Sequence, residues 1–307
     1  MTWRIQVADK LDPSGLERLR QQSTVIESPE LNSIGDMDAL IVRSGTRVTG
    51  EVLKRGQPRL KVVGRAGVGV DNIDLETASD LNITVVNVPG AATNAVAEHA
   101  LALMFALARN LPAADATMKA GRWDKKLLKG QELHGRTLGV IGMGRIGSLL
   151  TSKAKALGLK VLGYDPPIPN PKIEAAGAIS TPLAELMSLS DFVSLHVPLK
   201  MDTRLMIGSE DMNRMKPTAY LISTARGGVV DENALLNALN EDKLAGAALD
   251  VFEQEPPGST PLVEHPKLIA TPHLGSQTVE AQQRAAVDIA EEVLAALQGE
   301  ELRWRVR

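Results

Sequence analysis

Several short apolar runs in the second half of this 307-residue sequence end at residues that can do chemistry: Asp165, His196, Arg226, Asp250 with Glu255 shortly after it, and His273. In an open α/β sheet, ligands collect outside the carboxyl ends of the strands, so residues placed there share one rim. This rim would hold a cation, carboxylates and imidazoles. A carbonyl needs a cation to polarise it and an acid to protonate it, so the set suits hydride transfer between a carbonyl carbon and a nicotinamide ring. A glycine-rich stretch, Gly142-Met-Gly144-Arg-Ile-Gly147, supplies the means of binding such a ring.

The elements around that stretch give it meaning. Residues 137–141 read as a buried strand, 148–157 as a helix with apolar side chains at helical spacing, and 160–164 as a second strand. Gly142 permits the tight turn, Gly144 lets the backbone approach a pyrophosphate, and Gly147 lets helix and strand pack closely. The helix N-terminus offers N–H groups and partial positive charge to the phosphates. Asp165 ends the second strand, where it can accept both adenosine ribose hydroxyls and repel the extra phosphate of NADP. The expected cofactor is NAD.

Composition narrows the class. Hydrophobic residues make up 44% and charged residues 23%, ordinary for a globular protein. Only 3% are aromatic, so the core is aliphatic. A net charge of −3 gives no electrostatic case for nucleic acid. The absence of cysteine removes disulfides, thiolate nucleophiles and cysteine metal sites, and fits a cytoplasmic location. No histidine–carboxylate spacing points to a metal. MTWRIQVADK lacks a signal core, and the longest wholly apolar run, 100–108, is far short of a membrane span.

Two βα series follow one another. The first has strands at 4–8, 24–27, 39–42, 60–63 and 83–86, with helical pieces at 49–55 and 75–80 and a helix ending at Arg20 under a Ser14–Glu17 capping box. The second has strands at 137–141, 160–164, 178–179, 191–195, 219–223, 246–250 and 268–271, and helices at 182–187 and 231–240. Pro166, Pro167, Pro169 and Pro171 argue against regular structure after Asp165. Residues 93–110 form a helix apolar around most of its surface, expected between domains or subunits. His99 on it reads as a packed or capped histidine. Residues 113–121 and 123–130 read as an arm at a dimer interface. The last helix, 278–297, crosses back to the first series. The fold class is α/β, with two doubly wound parallel-sheet domains and a cleft between them. The expected domains are 1–93 with 281–307, binding substrate, and 94–280, binding NAD.

The segments VGRAGVGVDNID, NVPGAATNAVAEHALAL, LGVIGMGRIG, STARGGVVDENAL, GAALDVFEQEPP and TPHLGSQTVEA resemble the D-isomer-specific 2-hydroxyacid dehydrogenases, in order and over nearly the whole chain. Within that family the pattern is most similar to the phosphoglycerate-oxidising branch, in a short form without a C-terminal regulatory domain. The resemblance implies a flavodoxin-like substrate domain and a Rossmann NAD domain. It also implies residue roles. Arg226 grips the substrate carboxylate and carbonyl oxygen, His273 is the acid–base, and Glu255 pairs with His273. Asp250 contacts the nicotinamide carboxamide. Gly142, Gly144, Arg145, Ile146 and Gly147 cradle the pyrophosphate. His196 and Pro198 wall the adenine and ribose, and Thr203, Thr224, Ala225 and Gly275 add cofactor contacts. A homodimer or higher homo-oligomer is expected.

For the substrate, Gly67-Val68-Gly69 follows a strand end and can present N–H groups to a carboxylate. Arg43, with Ser44 beside it, and Arg65 sit at neighbouring strand ends, and two arginines there favour a phosphorylated 2-hydroxy or 2-oxo acid. Val68 departs from the threonine that some phosphoglycerate enzymes carry. The leading expectation is NAD-dependent oxidation of 3-phospho-D-glycerate, the entry to serine synthesis. A hydroxypyruvate or glyoxylate reductase and an NAD-sensing corepressor-like binding protein are the alternatives.

Overall fold

Short aliphatic runs become strands wherever a helix can cover them on each face, and this happens twice. A computed structural model describes residues 2–306. The chain divides into two units, residues 1–93 with 276–307 and residues 94–275. The sequence placed the second crossing at 281. The earlier return is fastened by Gln282, whose Nε2 donates to the Ser276 carbonyl at 2.7 Å.

In the first unit, strands β1 (Trp3–Val7), β2 (Ser23–Glu27), β3 (Ala39–Val42), β4 (Val62–Arg65) and β5 (Thr84–Asn87) form a parallel sheet in the order β2-β1-β3-β4-β5. This is the flavodoxin-like order. Helices α1 (Pro13–Arg20), α2 (Gly50–Arg55) and α3 (Leu75–Asp80) connect the strands. The expected Ser14–Glu17 capping box is not formed. Asp12 is the N-cap and accepts from Ser14 N, because Pro13 starts the helix one residue earlier. The strand expected at 60–63 lies two residues later, since Leu60 closes a turn by donating its N–H to the Gly56 carbonyl.

The second unit opens with α4 (Thr93–Ala108) and α5 (Leu111–Lys119). Its strands are β6 (Thr137–Ile141), β7 (Lys160–Tyr164), β8 (Ile179–Ser180), β9 (Phe192–Leu195), β10 (Tyr220–Ser223), β11 (Gly246–Leu249) and β12 (Leu268–Ala270). They pair in parallel in the order β12-β11-β10-β9-β6-β7-β8. The order reverses between β6 and β9, the switch point of a Rossmann sheet. Helices α6 (Arg145–Ala156), α7 (Asn170–Ala175), α8 (Leu183–Leu189), α9 (Ser209–Arg214) and α10 (Glu232–Asn240) lie between the strands. Two corrections follow. Helix α6 starts three residues before the expected 148, so Gly147 lies inside it. The proline-rich stretch is not irregular throughout: Pro171 sits in the first turn of α7, where a missing N–H costs nothing.

The final helix, α11 (Val279–Gln298), belongs to the first unit. Its Ala286, Ile289, Ala290 and Val293 are buried with Ile5, Leu16, Leu19 and Val62. Approach is close: a Cβ on Gly64 would stand 2.5 Å from Val293 Cγ2, and one on Gly15 would stand 2.5 Å from the Ala286 carbonyl. Residues after α11 then run antiparallel to β5, with Val306 N donating to Val85 O at 2.8 Å. No helix among the described residues is long and apolar enough to cross a membrane.

Candidate active site and dinucleotide cradle

In the second unit, every residue singled out on the rim follows the carboxyl end of a strand. Gly142 leaves β6 with φ +94°, a conformation open to glycine. It also lies against β9's exit: a Cβ there would meet the His196 carbonyl oxygen at 2.6 Å. Gly147 sits so close to the same turn that its Cβ would be 2.0 Å from Gly142 O. Gly144 differs from both. It is the N-cap of α6, makes no side-chain cap bond, and a Cβ on it would meet nothing within 4 Å. The space in front of the helix N-terminus is thus open and bordered by exposed Arg145 and half-buried Ile146. Met143 N is spoken for, donating to Asp165 Oδ2 at 2.7 Å, so Asp165 ties β7's exit to the glycine turn and keeps its second oxygen as an acceptor.

These features fit a dinucleotide. A free helix N-terminus with room beside a bare Gly144 suits a pyrophosphate, and a carboxylate one strand over suits a ribose. Polar groups at the next strand ends are enclosed without partners among the described residues: His196 Nδ1, Ser223 Oγ and Thr224 Oγ1. His196 Nε2 lies 2.9 Å from Ser194 Oγ. Burial pushes the His196 pKa down to about 4, so this imidazole is neutral at pH 7. Pro198 is exposed. Thr203 Oγ1 donates to Pro198 O at 2.6 Å and accepts from Lys200 N at 2.7 Å, so its hydroxyl shapes the loop. Buried Ala225 leads to Arg226, whose Nη1 donates to the Ala225 carbonyl at 2.7 Å. Gly227 lets this turn press on its neighbour, since a Cβ there would be 1.8 Å from Phe252 O.

The structure brings Glu255 and His273 together. His273 Nδ1 lies 2.8 Å from Glu255 Oε2, with both side chains open to solvent. Glu255 Oε1 accepts from Phe252 N at 3.1 Å. Burial pushes the Glu255 carboxyl up, but the His273 hydrogen bond and charge outweigh it and hold it below the usual range. The carboxylate therefore accepts from Nδ1–H and leaves Nε2 outside that bond. Asp250 is 1% exposed. Its Oδ1 accepts from Thr271 Oγ1 at 2.5 Å and Leu274 N at 2.7 Å, and its Oδ2 from Gly275 N at 2.8 Å. His99 Nε2 stands 3.2 Å from Oδ1. Neither His99 nor Thr271 was expected at the site.

In the first unit, Asp9 fastens the loop after β3: its Oδ2 accepts from Arg43 N at 2.5 Å and its Oδ1 from Thr46 Oγ1 at 2.9 Å. Asn72 Nδ2 donates to the Arg43 and Thr46 carbonyls at 2.8 and 2.6 Å. Arg43 Nη1 donates to Lys10 O at 3.2 Å, and Ser44 beside it is exposed. Burial lowers the Arg43 pKa, offset in part by Asp9. The Arg65 guanidinium lies directly over Gly67, whose Cβ would come within 1.5 Å of Nη1. Asn87 Nδ2 holds the Val68 carbonyl at 2.6 Å. Asp9, Asn72 and Asn87 were not anticipated, although Asp9 follows a strand just as the residues on the other rim do.

Residues 101–275 match the NAD binding domain of the D-isomer specific 2-hydroxyacid dehydrogenases. D-3-phosphoglycerate dehydrogenase from Methanocaldococcus jannaschii is 46% identical over 304 residues, covering 97% of this chain and 58% of that protein. The chloroplastic D-3-phosphoglycerate dehydrogenase 2 of Arabidopsis thaliana is 45% identical, covering 97% of this chain and 49% of its own length. The chain thus spans about half the length of these curated relatives. A D-lactate dehydrogenase from Aquifex aeolicus, solved with NAD and lactic acid, has a TM-score of 0.85 at 31% identity, covering 97% of this chain and 96% of that one. With the Rossmann order, the open helix N-terminus and the Glu255–His273 pair, these similarities mean that the chain belongs to the D-isomer specific 2-hydroxyacid dehydrogenase family.

Proposed function

We propose that the chain oxidises a phosphorylated D-2-hydroxy acid, 3-phospho-D-glycerate, to the 2-oxo acid with NAD. The observation that carries the reading is the Glu255–His273 pair at 2.8 Å, with Glu255 after β11 and His273 after β12, in the unit whose glycine turn and α6 fit a dinucleotide. Similarity to proteins named D-3-phosphoglycerate dehydrogenase supports the substrate. When bound, NAD supplies the hydride acceptor. Arg226 orients the carboxylate and the C2 oxygen with its fork of donors. His273 Nε2 takes the hydroxyl proton as the C2–H bond breaks, and Glu255 stabilises the imidazolium that forms. In the reverse direction His273 returns that proton to the carbonyl oxygen. Gly142, Gly144, Arg145, Ile146 and Gly147 hold the pyrophosphate and Asp165 the ribose. His196, Pro198, Thr203, Thr224 and Ala225 line the remaining cofactor path, and Gly275 and Asp250 border the nicotinamide. Arg43, Ser44, Arg65, Gly67 and Val68 serve the acid and its phosphate.

The test is NADH oxidation with 3-phosphohydroxypyruvate, hydroxypyruvate and glyoxylate in parallel. A kcat/KM roughly 10- to 100-fold higher for the phosphorylated acid is expected, since an arginine–phosphate pair contributes about 1.5–3 kcal/mol. Equal rates for the unphosphorylated acids would move the protein to the reductase branch. No turnover on any of them, with NADH still bound, would favour the corepressor-like alternative.

A further inference from the structure

We infer that His99 is a positioning residue for His273, holding the Asp250 carboxylate from α4 and through it the backbone of the loop that carries His273. The inference rests on the reading of His273 as the acid–base group.

The loop needs such support. His273 has φ +52°, a left-handed conformation that costs a non-glycine residue about 1–2 kcal/mol. Such a residue keeps that shape only when its surroundings over-determine it. The determining bonds converge on Asp250. His273 N donates to the Asp250 carbonyl at 2.9 Å, Leu274 N to Oδ1 at 2.7 Å and Gly275 N to Oδ2 at 2.8 Å. Three consecutive N–H groups thus end on one residue, so a rotation of its carboxylate would release two of them.

Two side chains set that rotation. Thr271, from the same loop, donates Oγ1 to Oδ1 at 2.5 Å. His99 comes from a separate element and places Nε2 3.2 Å from Oδ1 and 3.2 Å from Thr271 Oγ1. Burial pushes Asp250 up, but His99, Thr271 and the two loop N–H groups outweigh it, so the carboxyl is ionised and accepts only. The proton between His99 and Asp250 therefore sits on Nε2. Helix α4 is a rigid base for this contact: Ala97, Ala100, Leu103 and Met104 are buried in the core of the second unit, and the His99 side chain is only 18% exposed.

The experiment uses the 307-residue chain and compares His99→Leu with His99→Gln, whose Nε2 amide has similar reach, and with His273→Ala. Displacing a reacting group by about 1 Å costs roughly 100-fold in rate. H99L is expected to lose roughly 10- to 100-fold in kcat while KM for the oxo acid stays within about threefold, and the loss in NADH affinity is smaller than the loss in kcat because Asp250 and Gly275 also border the nicotinamide. H99Q is expected to recover most of the loss. A second readout needs no turnover. The chain has five histidines, so its imidazole Cε1–H spectrum is simple, and the His273 signal is the one missing in H273A. In H99L the ligand-free His273 signal should shift or broaden while those of His134 and His265 stay in place. An unchanged His273 signal and kcat in H99L would overturn the inference. So would equal losses in H99L and H99Q accompanied by a matching fall in Tm. Near-normal turnover of H273A would instead remove the acid–base reading, and the NMR comparison would still decide whether His99 positions the loop.

Discussion

The glycines of the dinucleotide turn make opposite predictions although they sit three residues apart. Gly144 is extended at φ −70°, ψ −159°, and a methyl group there touches nothing within 4 Å. Gly144→Ala should therefore leave Tm unchanged or slightly raised, because alanine has fewer unfolded conformations to lose. The methyl group would occupy the space where a phosphate must approach the α6 N-terminus. Losing one charge-assisted hydrogen bond costs about 1.5–3 kcal/mol, and moving an anion off a helix N-terminus costs about 0.3–1 kcal/mol more. The total, about 2–4 kcal/mol, corresponds to a 30- to 1,000-fold weaker NADH Kd. Gly147→Ala puts its Cβ 2.0 Å from a backbone oxygen that cannot step aside. Such overpacking costs about 1–3 kcal/mol, or roughly 2–4 °C of Tm per kcal/mol for a unit of this size. Fluorescence titration of NADH and thermal melting of both variants separate the cases. An unchanged NADH Kd in G144A would refute the cradle, and a Tm loss in G144A equal to that in G147A would refute the geometric argument.

Two further outcomes follow from groups outside the Glu255–His273 pair. His196 is held near 4 by burial against 6.5 in the unfolded chain, so only the unfolded state gains a proton between those values. Folding carries no penalty above pH 6.5 and loses up to about 3 kcal/mol as pH falls towards 4. Denaturant melts of His196→Asn at pH 7.5, 5.5 and 4 should show a flatter decline than the parent, and parallel declines would sink this account. Phe105, Leu111, Met118, Trp123 and Leu127 are exposed along one stretch of chain, the last two at 78% and 82%. That supports the expected homodimer, so sedimentation at micromolar concentration should give twice the 32.8 kDa chain mass, and Trp123→Glu with Leu127→Glu should give the monomer. A monomeric parent would contradict it.

Apolar runs with sharp polar borders were legible in the sequence: strands β3, β6 and β7 begin and end where their composition changes. The strand at 62–65 was misplaced because it ends on an arginine while apolar Leu60 belongs to a turn. Helix α6 was started too late because its first turn is the glycine motif itself, and glycine is a poor helix signal. The rim residues could be listed from strand ends, but the pairing of Glu255 with His273 came from a family resemblance. Two loop residues 18 positions apart carry no periodicity that would join them. The His99–Thr271 contact, 172 positions apart, was less legible still, since an imidazole on an apolar helix looks the same in sequence whether or not a carboxylate waits opposite. Asp9, Asn72 and Asn87 hold backbone carbonyls, loop N–H groups and a hydroxyl, a task set by loop shape.

The return of α11 to the first sheet has a consequence for synthesis. Strands β1 to β5 emerge early, but the helix that buries Val62 and Leu16 follows about 190 residues later, roughly 10–40 s at ordinary elongation rates. During that interval the sheet has an uncovered apolar face, while the continuous second unit is made in the same stretch and has its last strand, ending at Ala270, before α11 begins. The nascent chain should therefore complete the Rossmann unit first. The flavodoxin-like unit would close last, and a ribosome stalled before residue 279 would hold an NADH-binding intermediate with an aggregation-prone N-terminal sheet.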